Sequence, residues 1–261
     1  MTFLRSALFN LLFLGGTALT VLIGLPMLAA RPPMVIAFVR GWARLMLALL
    51  RIVCGIRVEV TGLGNIPPGG VIIAAKHQSA FDTVIWLTLL KSPVYVMKKE
   101  LGLIPFWGML ARHCGNVTVD RAGGASALKA MVRDSQAALA AGRPLVIFPE
   151  GTRSAPGERV PYQPGVAALA TATRAPVVPA ATDSGLFWGR RAFHKRPGTI
   201  HVSVLPPLPP GLPRQALMAA LESAIETESD RLAALSRPVE NPGDGTGPGI
   251  ESNPQAGPSS P

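Results

Sequence analysis

The first 56 positions carry a different pattern of apolar and polar residues from the remainder of the chain. From Ala7 to Ala30 the sequence ALFNLLFLGGTALTVLIGLPMLAA holds no charged side chain. As a helix this run would reach about 36 Å, against the ~30 Å of a bilayer's hydrocarbon core. The apolar part of a signal peptide is shorter, ~7–15 residues, and ends in a small-residue cleavage site; MLAA fits such a site poorly. Gly15, Gly16, Gly24 and Pro26 interrupt the run, so a kinked or re-entrant segment stands open beside a straight span. After RPP, residues 34–56 read MVIAFVRGWARLMLALLRIVCGI. On a helix Arg40, Arg44 and Arg51 fall within roughly 40° of one another, with apolar faces around them. That predicts an amphipathic helix at a lipid interface, its arginines among the headgroups. If the first segment spans, the arginines after it outnumber the single Arg5 before it. The rest of the chain then lies on the cytoplasmic side, as at a bacterial inner membrane.

From Val58 onward the pattern becomes that of an α/β domain. Seven short apolar or alternating runs read as strands: IRVEV, VIIAA, VYVM, NVTV, LVIF, PVVPAA and TIHVSVL. Between them lie helical periods. Residues 125–142 place Leu128, Met131, Val132, Ser135 and Leu139 on one face and end on Gly142. Residues 213–235 open on Pro213 and carry Leu217, Leu221, Ile225, Glu228 and Leu232 at near-helical spacing. The domains expected are membrane segments at 1–56, a globular domain at 57–236 and a tail at 237–261. Six prolines and five glycines in that tail predict disorder.

Composition adds to this. Hydrophobic residues make up 48% of the chain and charged residues 15%. Soluble domains carry ~25% charged residues, so part of this chain meets lipid. The net charge of +10 suits anionic membranes or phosphorylated substrates. Nucleic acid fits poorly: the basic residues are scattered, aromatics are few, and no nucleic-acid-binding signature occurs. Cys54 and Cys114 form no CxxC pair and read as free thiols in a reducing compartment. No set of four zinc ligands is present.

The chemistry concentrates in two stretches. In KHQSAFDT, residues 76–83, His77 and Asp82 sit five apart, about 140° apart on a regular helix. They can meet only if His77 occupies a turn between the strand VIIAA and a helix beginning near Ser79. The same Ser79 and Asp82 also spell a capping box. A general base with its orienting acid and an ordinary helix cap are both open. In RPLVIFPEGTRS, residues 143–154, an apolar strand runs into a polar turn. Ligands bind at the C-terminal ends of strands in open α/β sheets. The Arg153 guanidinium matches a phosphate, and Glu150 could accept from a polyol. A local Glu150–Arg153 ion pair is the plainer alternative.

Four stretches in order, over most of residues 70–185, resemble the lysophosphatidic acid acyltransferase family, the 1-acylglycerol-3-phosphate acyltransferases. They are H-x4-D at His77 and Asp82; KKELGLIPFWGMLARHCGNVTVDR at 98–121; FPEGTRS at 148–154; and APVVPAATDSG at 175–185. The N-terminal apolar pair is similar to the membrane-binding helices of bacterial members. The resemblance implies a mixed central sheet flanked by helices. It also implies that His77 is the general base, taking the proton of a lysophospholipid hydroxyl, with Asp82 fixing its tautomer. The hydroxyl then attacks an acyl thioester directly. Arg153 would hold the phosphate and Glu150 the glycerol, with Gly151 and Thr152 beside them. Lys98, Lys99 and Arg121 would be further anion contacts, and LGLIPFWGML would line an acyl groove. Acyl-CoA or acyl-carrier protein would be the co-substrate, and no cofactor, metal or nucleic acid is implied. Many members have Asn before the histidine. Here Lys76 stands there, as a further phosphate contact or a side chain turned to solvent.

Other classes fit less well. A serine hydrolase would want a G-x-S-x-G elbow, which is absent. His113, His194 and His201 are isolated in sequence, with no metal-ligand spacing. GLGNIP lacks the third glycine of a dinucleotide loop. A non-enzymatic membrane scaffold would leave His77, Asp82, Glu150 and Arg153 at strand ends unexplained. Within the family, the acceptor could instead be glycerol-3-phosphate, lyso-ornithine lipid or another lysolipid.

Overall fold

The computed structural model describes residues 1–236; the tail at 237–261, and the disorder expected there, lie outside the described residues. The chain opens with two long helices, α1 (Thr2–Gly24) and α2 (Pro32–Cys54), joined by a 3₁₀ turn at Pro26–Ala29. Both are long and apolar enough to cross a membrane, by length and composition. Gly15 and Gly16 do not break α1, which ends where Pro26 removes a donor. Pro32 opens α2 at a position where no N–H is needed. Gly55, in the left-handed region at φ 69°, closes it with its N–H on Leu50 and Arg51 carbonyls.

The expected amphipathic pattern of α2 is present but serves a second purpose. Ala43, Met46, Leu50 and Cys54 are buried, and α2 packs on α1 and on α3 (Phe81–Leu89). Arg44 and Arg51 are exposed as expected. Arg40 is half-buried, and its guanidinium donates to the Lys91 carbonyl, 3.2 Å away.

All seven strand-like runs form strands. In chain order they are β1 (Ile56–Thr61), β2 (Ile72–Ala75), β3 (Val94–Lys98), β4 (Val117–Val119), β5 (Leu145–Ile147), β6 (Val177–Thr182) and β7 (Gly198–Val204). One sheet takes the order β1-β7-β6-β2-β5-β3-β4. It is mixed, as the resemblance implied: β6 and β7 are antiparallel and every other neighbouring pair is parallel. β2 lies between β6 and β5, with Ile72 opposite both Val177 and Leu145. The C-terminal ends of β2, β5, β6 and β3 therefore open on the same edge of the sheet.

The period-2 alternation of β2 divides the core in two. Ile73 and Ala75 face the layer of α1, α2 and α3, packing with Phe9, Leu50, Phe81 and Trp86. Ile72 and Ala74 face the layer of α6 (Gly124–Ala140), α7 (Gly165–Thr173) and α8 (Arg214–Leu235), packing with Met131, Leu139, Leu169 and Leu221. Each such side chain withdrawn from water stabilises the fold by about 1.5–3 kcal/mol. In α8, Leu217, Leu221, Ile225 and Leu232 are buried as the spacing predicts, but the buried acid is Glu226, while Glu228 pairs with Arg231 at 2.7 Å. Two short helices, α4 (Lys99–Gly102) and α5 (Trp107–His113), complete the β3–β4 connection.

Candidate active site

β2 does not stop abruptly at Ala75. The Lys76 N–H donates to the Ala180 carbonyl at 2.8 Å, keeping one more residue against β6 before the chain turns at His77. Asp82, in the first turn of α3, reaches back over that turn. Its Oδ2 accepts from the backbone N–H groups of Gln78 and Ser79, both at 2.7 Å, and lies 3.1 Å from His77 Nδ1. The Ser79 hydroxyl accepts from Phe81 N–H at 3.1 Å. The helix-cap and base-orienting arrangements therefore coexist, and one carboxylate serves both. The imidazole stacks on Phe148, just beyond β5, with centroids 4.0 Å apart and planes 18° apart. With Nδ1 turned to Asp82, Nε2 is the nitrogen left for a substrate.

The turn after β5 is tied to the turn after β2. The Ser154 N–H donates to the His77 carbonyl at 2.9 Å, and the His77 N–H donates to Glu150 Oε2 at 2.7 Å. Glu150 Oε1 accepts from the Ser154 hydroxyl at 2.6 Å and from the Lys76 ammonium at 2.7 Å. Burial pushes the Glu150 carboxyl up, while Lys76 and these hydrogen bonds pull it back. At 2% exposure both oxygens are committed to protein groups, so the expected glycerol contact does not match its position. Nor does Glu150 pair locally with Arg153. Lys76 corrects both expectations for it. It is 2% exposed, and its ammonium lies 2.7 Å from Glu226 on α8 as well as from Glu150. Tyr162 and Arg159 also donate to Glu226, joining the loop after the FPEGTRS turn to α8.

Arg153 is half-buried on the same loop. Desolvation holds its guanidinium below the usual range, opposed by the Asp82 charge and reinforced by Arg190. Arg190 donates to the Arg153 carbonyl at 3.1 Å. Gly151 adopts φ 69°, and a Cβ there would come within 3.3 Å of the Arg121 guanidinium. Arg121 and Arg153 thus both attend this turn, with half-buried Thr152 between Gly151 and Arg153. Lys98 and Lys99 are exposed at the end of β3, and Lys99 pairs with Asp120 at 3.1 Å. They stand at the rim, with no contact to the His77–Asp82 pair. The LGLIPFWGML stretch leaves Leu103, Ile104, Phe106 and Met109 exposed.

Sequence reasoning passed over Ser184, whose hydroxyl donates to Asp82 Oδ1 at 2.6 Å. Its only signal was a place in TDSG at the end of the strand run at 176–181. Among the described residues no group of three or more His, Cys, Asp or Glu is placed to hold a metal ion. The arrangement supplies an imidazole oriented by a carboxylate, with Arg153 and Arg121 at the neighbouring turn after β5.

A family model described as Acyltransferase matches residues 57–183. A 1-acyl-sn-glycerol-3-phosphate acyltransferase of Pseudomonas aeruginosa is 36% identical over 168 residues, 64% of this chain and 65% of that one. The human 1-acyl-sn-glycerol-3-phosphate acyltransferase alpha is 31% identical over 169 residues, 64% of this chain and 60% of its own. The matched stretch thus spans less than two thirds of either relative. The crystal structure of a 1-acyl-sn-glycerophosphate acyltransferase from Thermotoga maritima superposes with a TM-score of 0.74 at 22% identity, over 90% of this chain and 98% of that one. At that identity the likeness speaks for the fold.

Proposed function

This chain belongs to the acyltransferase family, and from that premise we propose that it moves a fatty acyl group from a thioester onto the free hydroxyl of 1-acylglycerol-3-phosphate, giving phosphatidic acid. The carrying observation is His77, its Nδ1 held 3.1 Å from Asp82 and its ring fixed on Phe148, with Nε2 left for the acceptor. Nε2 takes the hydroxyl proton as the oxygen attacks the thioester carbonyl. The C–S bond then breaks, and the departing thiolate takes the proton from the imidazolium. The Asp82 carboxylate behind the ring steadies the cation. Arg153 and Arg121 hold the phosphate. The names of the relatives support this acceptor. Acyl-CoA and acyl-carrier protein both present the required thioester.

The N-terminal hairpin supports a membrane setting for a lipid acceptor. Leu4, Leu8, Leu11, Leu14, Leu19 and Leu22 stay exposed along α1, a stripe that lipid would cover. We place the catalytic domain on the cytoplasmic side, following the arginines of α2.

The test is acyl transfer by detergent-purified full-length protein, with labelled acyl-CoA and acyl-carrier protein in parallel and 1-acylglycerol-3-phosphate as acceptor. His77→Ala is expected to lower turnover by about 10²–10⁴-fold, the usual range for a general base. No product with either donor, from folded protein, would reject this acceptor, and lyso-ornithine lipid would be tried next.

A further inference from the structure

Asp82 is buried, and its two oxygens are unequally served. Oδ2 faces three nitrogen donors, on His77, Gln78 and Ser79. Oδ1 has one partner, the Ser184 hydroxyl at 2.6 Å. Ser184 is itself fully buried, and its N–H is held by the Thr182 hydroxyl at 3.1 Å. The residue after it makes a second tie: the Gly185 N–H donates to the Gln78 side-chain carbonyl at 3.0 Å. A Cβ at Gly185 would stand 3.0 Å from Gln78 Cβ and 2.9 Å from Pro156, so this approach needs glycine. The residue before it faces the other way. Asp183 accepts from the His201 N–H at 2.7 Å, His201 Nδ1 at 2.8 Å and the Ser236 hydroxyl at 2.6 Å. The segment 183–185 is therefore a bracket, fastened to β7 and the end of α8 on one side and to the base-bearing turn on the other.

We infer that Ser184 is a positioning residue for acyl transfer: its hydroxyl fixes the plane of the Asp82 carboxylate and draws charge from it, and so sets the direction and basicity of His77. The inference rests on the reading of His77 as the base. A carboxylate held by one oxygen can rotate about its Cβ–Cγ bond, and Oδ2 would then leave the line of Nδ1. Without the hydroxyl, Oδ1 is a buried anionic oxygen with no donor. More charge then faces the ring, and the imidazolium holds its proton more tightly. The other charged groups around this carboxylate are Arg153 from the loop after β5 and, behind the turn, the Lys76–Glu150–Glu226 cluster. Asp183 and His201 lie across the bracket. None of them donates to Oδ1, so none replaces the hydroxyl.

Ser184→Ala in the full-length protein is expected to lower kcat on the order of tenfold to a hundredfold, the worth of one hydrogen bond to a charged group. KM for the lysolipid should stay within about twofold of wild type, since the hydroxyl touches no substrate. The acid limb of the kcat/KM profile should move to higher pH. Ser184→Thr, which keeps the donor, should recover most of kcat, and Ser184→Val, which matches threonine in size, should not. That pair decides the matter if the alanine variant folds poorly. Wild-type kcat with an unmoved acid limb in Ser184→Ala would overturn the inference. So would a raised KM at unchanged kcat, or equal activity in the threonine and valine variants. His77→Ala runs alongside: an active His77→Ala defeats the base assignment itself, whereas an inactive one beside a normal Ser184→Ala defeats only this inference.

Discussion

Lys76 places an ammonium next in sequence to the proposed base, 2.7 Å from each of two buried carboxylates. A cation so enclosed offsets the desolvation of both acids, and removing it leaves them uncompensated. Lys76→Met is expected to destabilise the protein by about 3–5 kcal/mol, measured by denaturant unfolding in detergent. Adding Glu226→Gln to that variant should restore part of the loss, because one of the two stranded charges goes with it. A double variant no more stable than the single one would rule out this ion cluster. Lysine is ordinarily a surface residue, and here its partner Glu226 lies 150 positions away, beyond any local pattern. His77 and Asp82 were legible because a five-residue spacing across a strand–helix turn is local. Glu150 and Ser184 were not: their partners are set by which strand ends share an edge of the sheet. Glu150 stands in a motif rich in polar groups, yet it faces inward to Lys76 and the His77 N–H.

At the scale of elements, the apolar runs marked all seven strands, and the helical periods found the buried faces of α6 and most of that of α8. The order of the strands was not readable, since it depends on crossovers that join residues far apart. The N-terminal run shows another limit. An almost wholly apolar helix looks the same from every side, so nothing in its periodicity says which stripe meets protein. In the fold Phe9 is fully buried, and it and Phe13 meet the Trp188 ring edge-on at 5.2 and 5.1 Å. Lys195, buried beside them, donates to the Asn10 side chain and to the Ala192 and Phe193 carbonyls. α1 is thus fastened along one stripe to the β6–β7 connection. Phe9→Ala should cost about 3–5 kcal/mol and loosen the hairpin, read as faster amide exchange in α1 and in residues 186–196 together. Faster exchange in α1 alone would mean that the contact carries no coupling.

For the whole molecule, exposed leucines along α1 and a net charge of +10 combine apolar area with positive charge. Binding to vesicles containing anionic lipid should exceed binding to neutral ones, and the excess should shrink by about twofold to tenfold as salt rises from about 0.05 to 0.5 M and the Debye length falls from roughly 14 to 4 Å. Equal binding to both vesicle types at all salt concentrations would leave only the apolar contribution. The sheet has a further consequence, in time. β1 follows directly on the hairpin, yet its neighbour in the sheet is β7, and Ile56 lies opposite Gly198. During synthesis at about 5–20 residues per second, roughly 140 residues and so about 7–30 s separate the two strands' emergence. For most of that interval the N-terminal apolar run is outside the ribosome while Trp188, which packs on Phe9, has yet to emerge. A bilayer is an apolar phase that can receive the hairpin at that stage, before the strands that complete the sheet exist.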